Sequence, residues 1–281
     1  MKQILIIGIG FVLLATLMAF GINPITEPLP EIKVAVYFGS GSLDLSTSSI
    51  QSVMASFSDI RITPVTERDI REGALNRVHA LIMPDGSDKT FHDALGADGC
   101  RAIERFVSNG GGYVGIGAGT CLAALGYDEH SDDLELINAR IAGTSDGMNG
   151  TDMMLCAALT RQGSRSMQFE IQFNGGPVLV PGEEHYLQPY ATLAKFNGEA
   201  EAPEISEGGI KGGDAIVASR FGQGRVILFS PNPEMTPGME NCLARALRWA
   251  AGKCEPGTAA LGPEFSWEGI FGIPPSAPQP R

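Results

Sequence analysis

Three short stretches hold the groups best suited to chemistry: "MPDGSD" (83–88), "GGYVGIGAGTCLAALG" (111–126) and "SPNPE" (230–234). The middle one reads as a buried strand, a glycine turn and a helix start, the layout in which hydrolytic and amidotransfer enzymes display a nucleophile. Its apex is Gly117, which has no side chain with which to attack a carbonyl. What the stretch retains is main chain: the turn Gly117-Ala118-Gly119, with Thr120 in the first helical turn, presents N–H groups that favour a carboxylate or oxyanion. Pro84-Asp85-Gly86 would form a second loop beside it. Asp85 there reads either as a turn residue bonding locally or as a carboxylate at the rim of a pocket. Asn232 and Glu234 follow the third strand. The nearest thiol, Cys121, sits one helical turn beyond the apex, about 6 Å along the axis. A helix start lowers a thiol pKa, but the neighbours Leu122, Ala123 and Ala124 favour an inert core cysteine.

These stretches can meet only if the elements behind them form a parallel sheet, whose strand carboxyl ends line a common crevice. The pattern predicts such a sheet. "KVAVYFGSG" is an apolar strand entering a Gly/Ser turn, and "TSSIQSVMASF" spaces Ile50, Val53, Met54 and Phe57 as a helix. "IRITPV", the short segment "RDIREGAL" and "VHALIMPDGSD" continue a strand–crossover–strand rhythm. "GADGCRAIERFVSNGGG" puts Ala102, Ile103, Phe106 and Val107 on one helical face and stops at Asn109 and a glycine run. From about Leu136 to Phe196 the pattern changes to strands and turns, an antiparallel extension that includes "FNGGP", where Asn174 suits a tight turn. "DAIVASRFGQGRVILFS" is a hairpin and "MENCLARALRWAAG" a final amphipathic helix. The fold class expected is α/β: a flavodoxin-like parallel sheet flanked by helices, with an antiparallel extension.

The net charge of −12 over 281 residues, with no Lys/Arg cluster, argues against a nucleic-acid or anionic-membrane surface. Residues 1–23 are mostly apolar after Lys2 and read as a signal peptide or transmembrane anchor, with an anchor favoured because Ala19-Phe20-Gly21 is a poor cleavage site. Lys2 before the span and Glu27 and Glu31 after it place the remainder outside the cytoplasm, periplasmic or in the cell envelope. Residues 24–32 form a proline-rich linker, 33–252 the folded domain, and 253–281 a Pro/Gly-rich tail expected to be mostly disordered, in which Trp267, Ile270 and Phe271 could dock. Five scattered cysteines announce neither zinc nor a disulfide framework; Cys242 with Cys254 is the simplest pair if one forms. Glu183, Glu184 and His185 are consecutive and read as a solvated turn. No motif calls for a metal or cofactor.

Taken in order, "DIREGAL", "LIMPDG", "AIERFVSNGGGYVGIGAGTCLA", "FNGGP" and "GRVILFSPNPE" resemble the class I glutamine amidotransferase-like superfamily, and within it the family named for the N-terminal domain of biotin-protein ligase. The resemblance runs from about Lys33 to Ala251. It implies a cysteine at the elbow and His-Pro-Glu in the last motif, forming a Cys-His-Glu triad. In this chain the nucleophile slot is Gly117, the base slot is Asn232, and the orienting acid Glu234 remains. It also implies that the loop Pro84-Asp85-Gly86 supplies half of an oxyanion hole. A neutral amide cannot accept and return a proton as imidazole does, so triad hydrolysis is not expected.

The reading is therefore a catalytically inactive domain that binds a small anionic ligand, or else a protein partner. The ligand would be held by Pro84, Asp85, Gly86, Gly117, Ala118, Gly119, Thr120, Asn232 and Glu234, in room left by the missing cysteine side chain. The alternative is a hydrolase or amidotransferase of altered chemistry using Cys121 or the Asp85/Glu234 carboxylates. A third reading is an envelope interaction module in which the acidic surface and the tail matter.

Overall fold

The computed structural model describes residues 29–126, 134–144, 155–162, 168–197, 213–254 and 262–272. The expected N-terminal signal or anchor, residues 1–23, lies outside them, as does His130. Among the described residues no helix is long and apolar enough to cross a membrane.

Five strands run parallel in the order β2-β1-β3-β4-β11. They are β1 (Ile32–Tyr37), β2 (Ile60–Val65), β3 (Ala80–Met83), β4 (Gly112–Ile116) and β11 (Gly224–Phe229). Beyond β11 the sheet continues antiparallel through β10 (Asp214–Phe221), β9 (Ala191–Phe196), β6 (Leu155–Arg161) and β7 (Gln168–Phe173). The strands β5 (Ala139–Thr144) and β8 (Pro177–Pro181) pair with each other, and β8 bridges to β10. A parallel sheet with an antiparallel extension is thus what the chain builds. The first strand begins at Ile32, one residue before the expected start of the folded domain, because Ile32 already pairs with Ile60 in β1–β2.

Alternation along the strands divides the core into two layers. Val34, Val36, Ile82, Val114, Ile116, Ile227 and Phe229 face one side and are covered by α1 (Asp44–Met54) and α5 (Glu240–Ala250). Ala35, Tyr37, Leu81, Met83, Tyr113, Val226 and Leu228 face the other. That side is covered by α2 (Glu67–Arg71), α3 (Asp88–Ser108) and α4 (Ala118–Ala123). Thr66 starts α2 with a reciprocal capping box to Asp69, and a 3₁₀ turn over Ala74–Arg77 leads back into β3.

Two elements depart from expectation. The helix expected from Gly96 begins eight residues earlier, at Asp88 behind a Ser87 cap, and breaks at Gly96 (φ 57°, ψ 176°). The first half buries Phe91 and Leu95, a pair too short to show a helical period. The C-terminal tail is also not loose where it is described. Ser266 caps α6 (Trp267–Phe271), and Trp267, Ile270 and Phe271 are all at most 1% exposed. Trp267 packs on Phe169 and Phe271 on Phe229, with centroids 5.4 and 6.2 Å apart, and Arg161 pairs with Glu268 at 3.2 Å. Three large apolar side chains outweigh the Pro/Gly composition around them.

Cys242 is buried in α5, Cys254 is exposed, and no disulfide joins them. Glu183, Glu184 and His185 are exposed, and no group of metal-ligating side chains occurs among the described residues.

Candidate functional site

The carboxyl ends of β1, β3, β4 and β11 bring the three sequence stretches together as expected, around the side chain of Asp85. Gly117 turns the chain from β4 into α4 at φ 53°, ψ −114°, a region side chains avoid. The main chain is pinned on both sides: Gly117 N–H donates to Phe229 O at 2.9 Å, and Tyr113 Oη donates to Gly119 O at 2.7 Å.

The helix start that sequence reading offers to an anion has no donor to spare. Gly119 N–H donates to Pro84 O at 3.2 Å and Thr120 N–H to Gly117 O at 2.9 Å, while Thr120 Oγ1 donates to Phe229 O at 2.8 Å. The remaining donor, Ala118 N–H, bonds Asp85 Oδ1 at 3.0 Å. The same oxygen accepts from Gly86 N–H at 2.8 Å. Ala118 follows Gly117 at the turn into α4 and Gly86 lies in the loop after β3, so a single carboxylate oxygen takes one main-chain N–H from each loop.

The second oxygen is equally engaged: Asp85 Oδ2 accepts from Asn174 Nδ2 and Asn232 Nδ2, each at 3.1 Å. Four donors on one buried carboxylate, which is 5% exposed, leave it fully satisfied. The room expected at the apex is filled as well. A Cβ built on Gly117 would lie 2.1 Å from Asp85 Oδ1 and 2.4 Å from its Cγ, well inside van der Waals contact. Cysteine at 117 and Asp85 in this rotamer exclude each other.

Behind Asp85 lies a second carboxyl. Asn232 Nδ2 also donates to Glu234 Oε1 at 3.2 Å, and Ser46 Oγ donates to that oxygen at 2.7 Å while accepting from Asp85 N–H at 3.2 Å. Asn232 Oδ1 accepts from Asn174 N–H at 3.0 Å. Glu234 Oε2 is buried with no hydrogen-bond partner. Burial pushes the Glu234 carboxyl up to about 7 and the nearby Asp85 adds to the rise; hydrogen bonds from Ser46, its own main chain and Asn232 oppose it.

Of the expected residues, Asp85, Gly86, Ala118, Asn232 and Glu234 meet in one network, and Pro84, Gly119 and Thr120 frame it through main-chain bonds. Cys121 is buried in the apolar layer with Leu122 and Ala123. Two further side chains join the network, Ser46 and Asn174, the second of which reads from sequence as a turn residue. Ser46 is one hydroxyl in a run of four between 46 and 49, and nothing in the run singles it out. Asn174 had a signal: the following Gly176 has Ser230 O 1.9 Å from where a Cβ would be, so "FNGGP" is built for close approach to the end of β11.

The sequence profile of the family described as biotin-protein ligase, N terminal, matches residues 32–149 and 143–248. A search of curated proteins finds no match. Among solved structures, a glutamine amidotransferase is similar at 21% identity and TM-score 0.53, over 78% of this chain and 98% of its own. A ThuA-like protein from Bacteroides uniformis is similar at 13% identity and TM-score 0.52, over 79% and 92%. At these identities the likeness speaks for the fold alone.

Proposed function

The chain belongs to the biotin-protein ligase N-terminal family with a glutamine amidotransferase-like fold, and from that premise we propose that it is a non-hydrolytic member that acts by binding. The observation that carries this is the Asp85 carboxylate. It stands in the space of the missing nucleophile and takes both N–H donors of the oxyanion hole. Thiol attack on an amide needs an attacking atom, a base and a stabilised oxyanion; this site supplies none of the three.

A small anion at the elbow would have to displace Asp85 from Gly86, Ala118, Asn174 and Asn232 before gaining any of their bonds. That requirement lowers the standing of the elbow as the ligand site and raises that of a protein partner or of a second site. The apolar run before residue 24, with Lys2 ahead of it, supports a chain anchored or exported with its folded body outside the cytoplasm. Altered chemistry through Glu234 has one feature in its favour, a carboxyl with a pKa near neutrality beside a second carboxylate. Against it, Asp85, Asn232 and Glu234 are all at most 5% exposed, so no substrate reaches the pair as it stands.

The test is ammonia release from glutamine by the full chain and by two sets of replacements. The unaltered protein is expected to be silent, and so is Gly117→Cys/Asn232→His, because the new side chain collides with Asp85. Adding Asp85→Gly clears the hole, and the triple variant is expected to gain activity or, failing turnover, a thiol that iodoacetamide alkylates faster than Cys121. Glutamine hydrolysis by the unaltered chain would overturn the reading.

A further inference from the structure

The opposite end of the sheet carries what the elbow lacks. A cleft of about 520 Å³ opens at the amino ends of β3 and β4, between α2 with its 3₁₀ turn on one side and the second half of α3 on the other. That volume falls within the range of small-molecule pockets. Three cationic or proton-donating side chains line it, Arg71, His79 and Arg105, together with the amides of Asn76 and Asn109; among the described residues no carboxylate does. In a chain of net charge −12 this is a local reversal of sign.

Each group has a reason to face the cleft. Arg71 Nη1 is tied back to the carbonyls of Ala94 and Leu95 at 2.7 and 3.1 Å, just before the break at Gly96, so its guanidinium is held at the wall. His79 Nδ1 accepts from Lys33 N–H at 2.9 Å, which puts the proton of the neutral ring on Nε2. Burial lowers the His79 pKa, and the charges of Lys253 and Lys33 lower it further, as a site of positive potential would. Arg105 is exposed, and its guanidinium makes no hydrogen bond or ion pair among the described residues. Of the carboxylates on and next to the flanking helices, Glu67 is bonded by Tyr37 and Ser40, Asp69 by Thr66, Glu72 by Arg68 and Asp98 by Arg101, and burial raises the pKa of Glu104. One wall is flat and apolar. The Phe106 ring lies against Gly111, where a Cβ would come within 2.5 Å of it, and Val78 and Ala102 continue that surface.

We propose that this cleft is a binding site for a small organic anion with a flat apolar body, its carboxylate or phosphate held between Arg105, Arg71 and the Nε2–H of His79 and its body against Phe106. The two kinds of head share the chemistry that the guanidinium groups recognise, bidentate oxyanion pairing. The site is independent of the elbow: no residue of the Asp85 network lines it.

Isothermal titration of the full chain tests it with 2-naphthoate, 2-naphthyl phosphate and the uncharged 2-naphthamide. Saturable binding of at least one anion is expected, with the tighter of the two identifying the head, and the amide binding at least tenfold more weakly. Arg105→Glu is expected to weaken the anion at least tenfold, and Arg105→Lys by only a few-fold; the thermal midpoint of each variant reports whether its fold is intact. Failure of both anions to saturate, equal binding of the amide, or less than a twofold effect of Arg105→Glu in a folded variant would each overturn the proposal.

Discussion

At the carboxyl end of β3, β4 and β11 the chain answers its own anion-binding groups: Asp85 receives two main-chain N–H groups and two side-chain amides and leaves no space at Gly117. At the amino end of β3 and β4, Arg105 and the amides of Asn76 and Asn109 line a cleft that no carboxylate lines among the described residues. The two ends share strands and differ in what closes them. An amidotransferase-like sheet can therefore keep the geometry of an elbow as internal structure while its open, charged surface lies at the other end. The elbow reads as a site in sequence because its glycines and turn survive, yet in three dimensions it is part of the core.

Replacements that separate structure from recognition sharpen this contrast. The largest effect is expected for Asp85→Ala, which leaves four donors without their acceptor in a buried site. At about 1–3 kcal/mol for each unmet group, with water recovering part of it, the loss of stability is roughly 4 kcal/mol, measurable by urea denaturation. A loss below about 1 kcal/mol would mean that the carboxylate is not the keystone of that end and that the elbow is free to open.

Next comes Glu234→Gln, through its pH dependence. The Glu234 carboxyl titrates at about 7 in the fold against 4.5 for the ordinary group. Below pH 4.5 both states are protonated and the residue is neutral to stability. Between 4.5 and 7 the unfolded chain loses a proton that the folded chain keeps, so stability falls as pH rises, by up to about 3 kcal/mol above pH 7. The Gln variant should lack this fall. Unfolding curves at pH 5 and pH 8 for both proteins measure it, and parallel curves would remove Glu234 from the account.

The smallest effect is at the open end. Arg105→Gln should change stability by no more than about 0.5 kcal/mol, as for an exposed side chain without a bonded partner, while weakening the anion. A destabilised variant would make Arg105 a structural residue and erase the difference between the two ends.

The sheet and the elbow were legible because their signals are local: apolar runs, helix stops at glycine, and a strand–turn–helix at 111–126. Asp85 was half legible. Its bond to Gly86 N–H is the local turn bond that sequence suggests, but the same oxygen reaches Ala118, thirty-three residues away, and no spacing rule encodes that. The expectation that a missing cysteine leaves room failed for the same reason: the space is taken by a side chain from the loop after β3. Ser46 reaches Glu234 across 188 residues and is equally silent in sequence. In the tail, Pro and Gly dominate the composition, whereas three apolar residues and a serine cap decide the structure of its described part, 262–272.

That tail also governs how unfolding is seen. The chain has two tryptophans, and both are buried in the layer made by α5 and α6. Trp249 donates its indole N–H to Glu264 O at 3.1 Å under the Arg225 guanidinium, and Trp267 lies beneath that of Arg161. Intrinsic emission therefore reports the release of this layer, and a spectral shift that precedes the loss of sheet dichroism would time the detachment of α6. The elbow, whose Asp85 network includes neither tryptophan, is dark to the same signal.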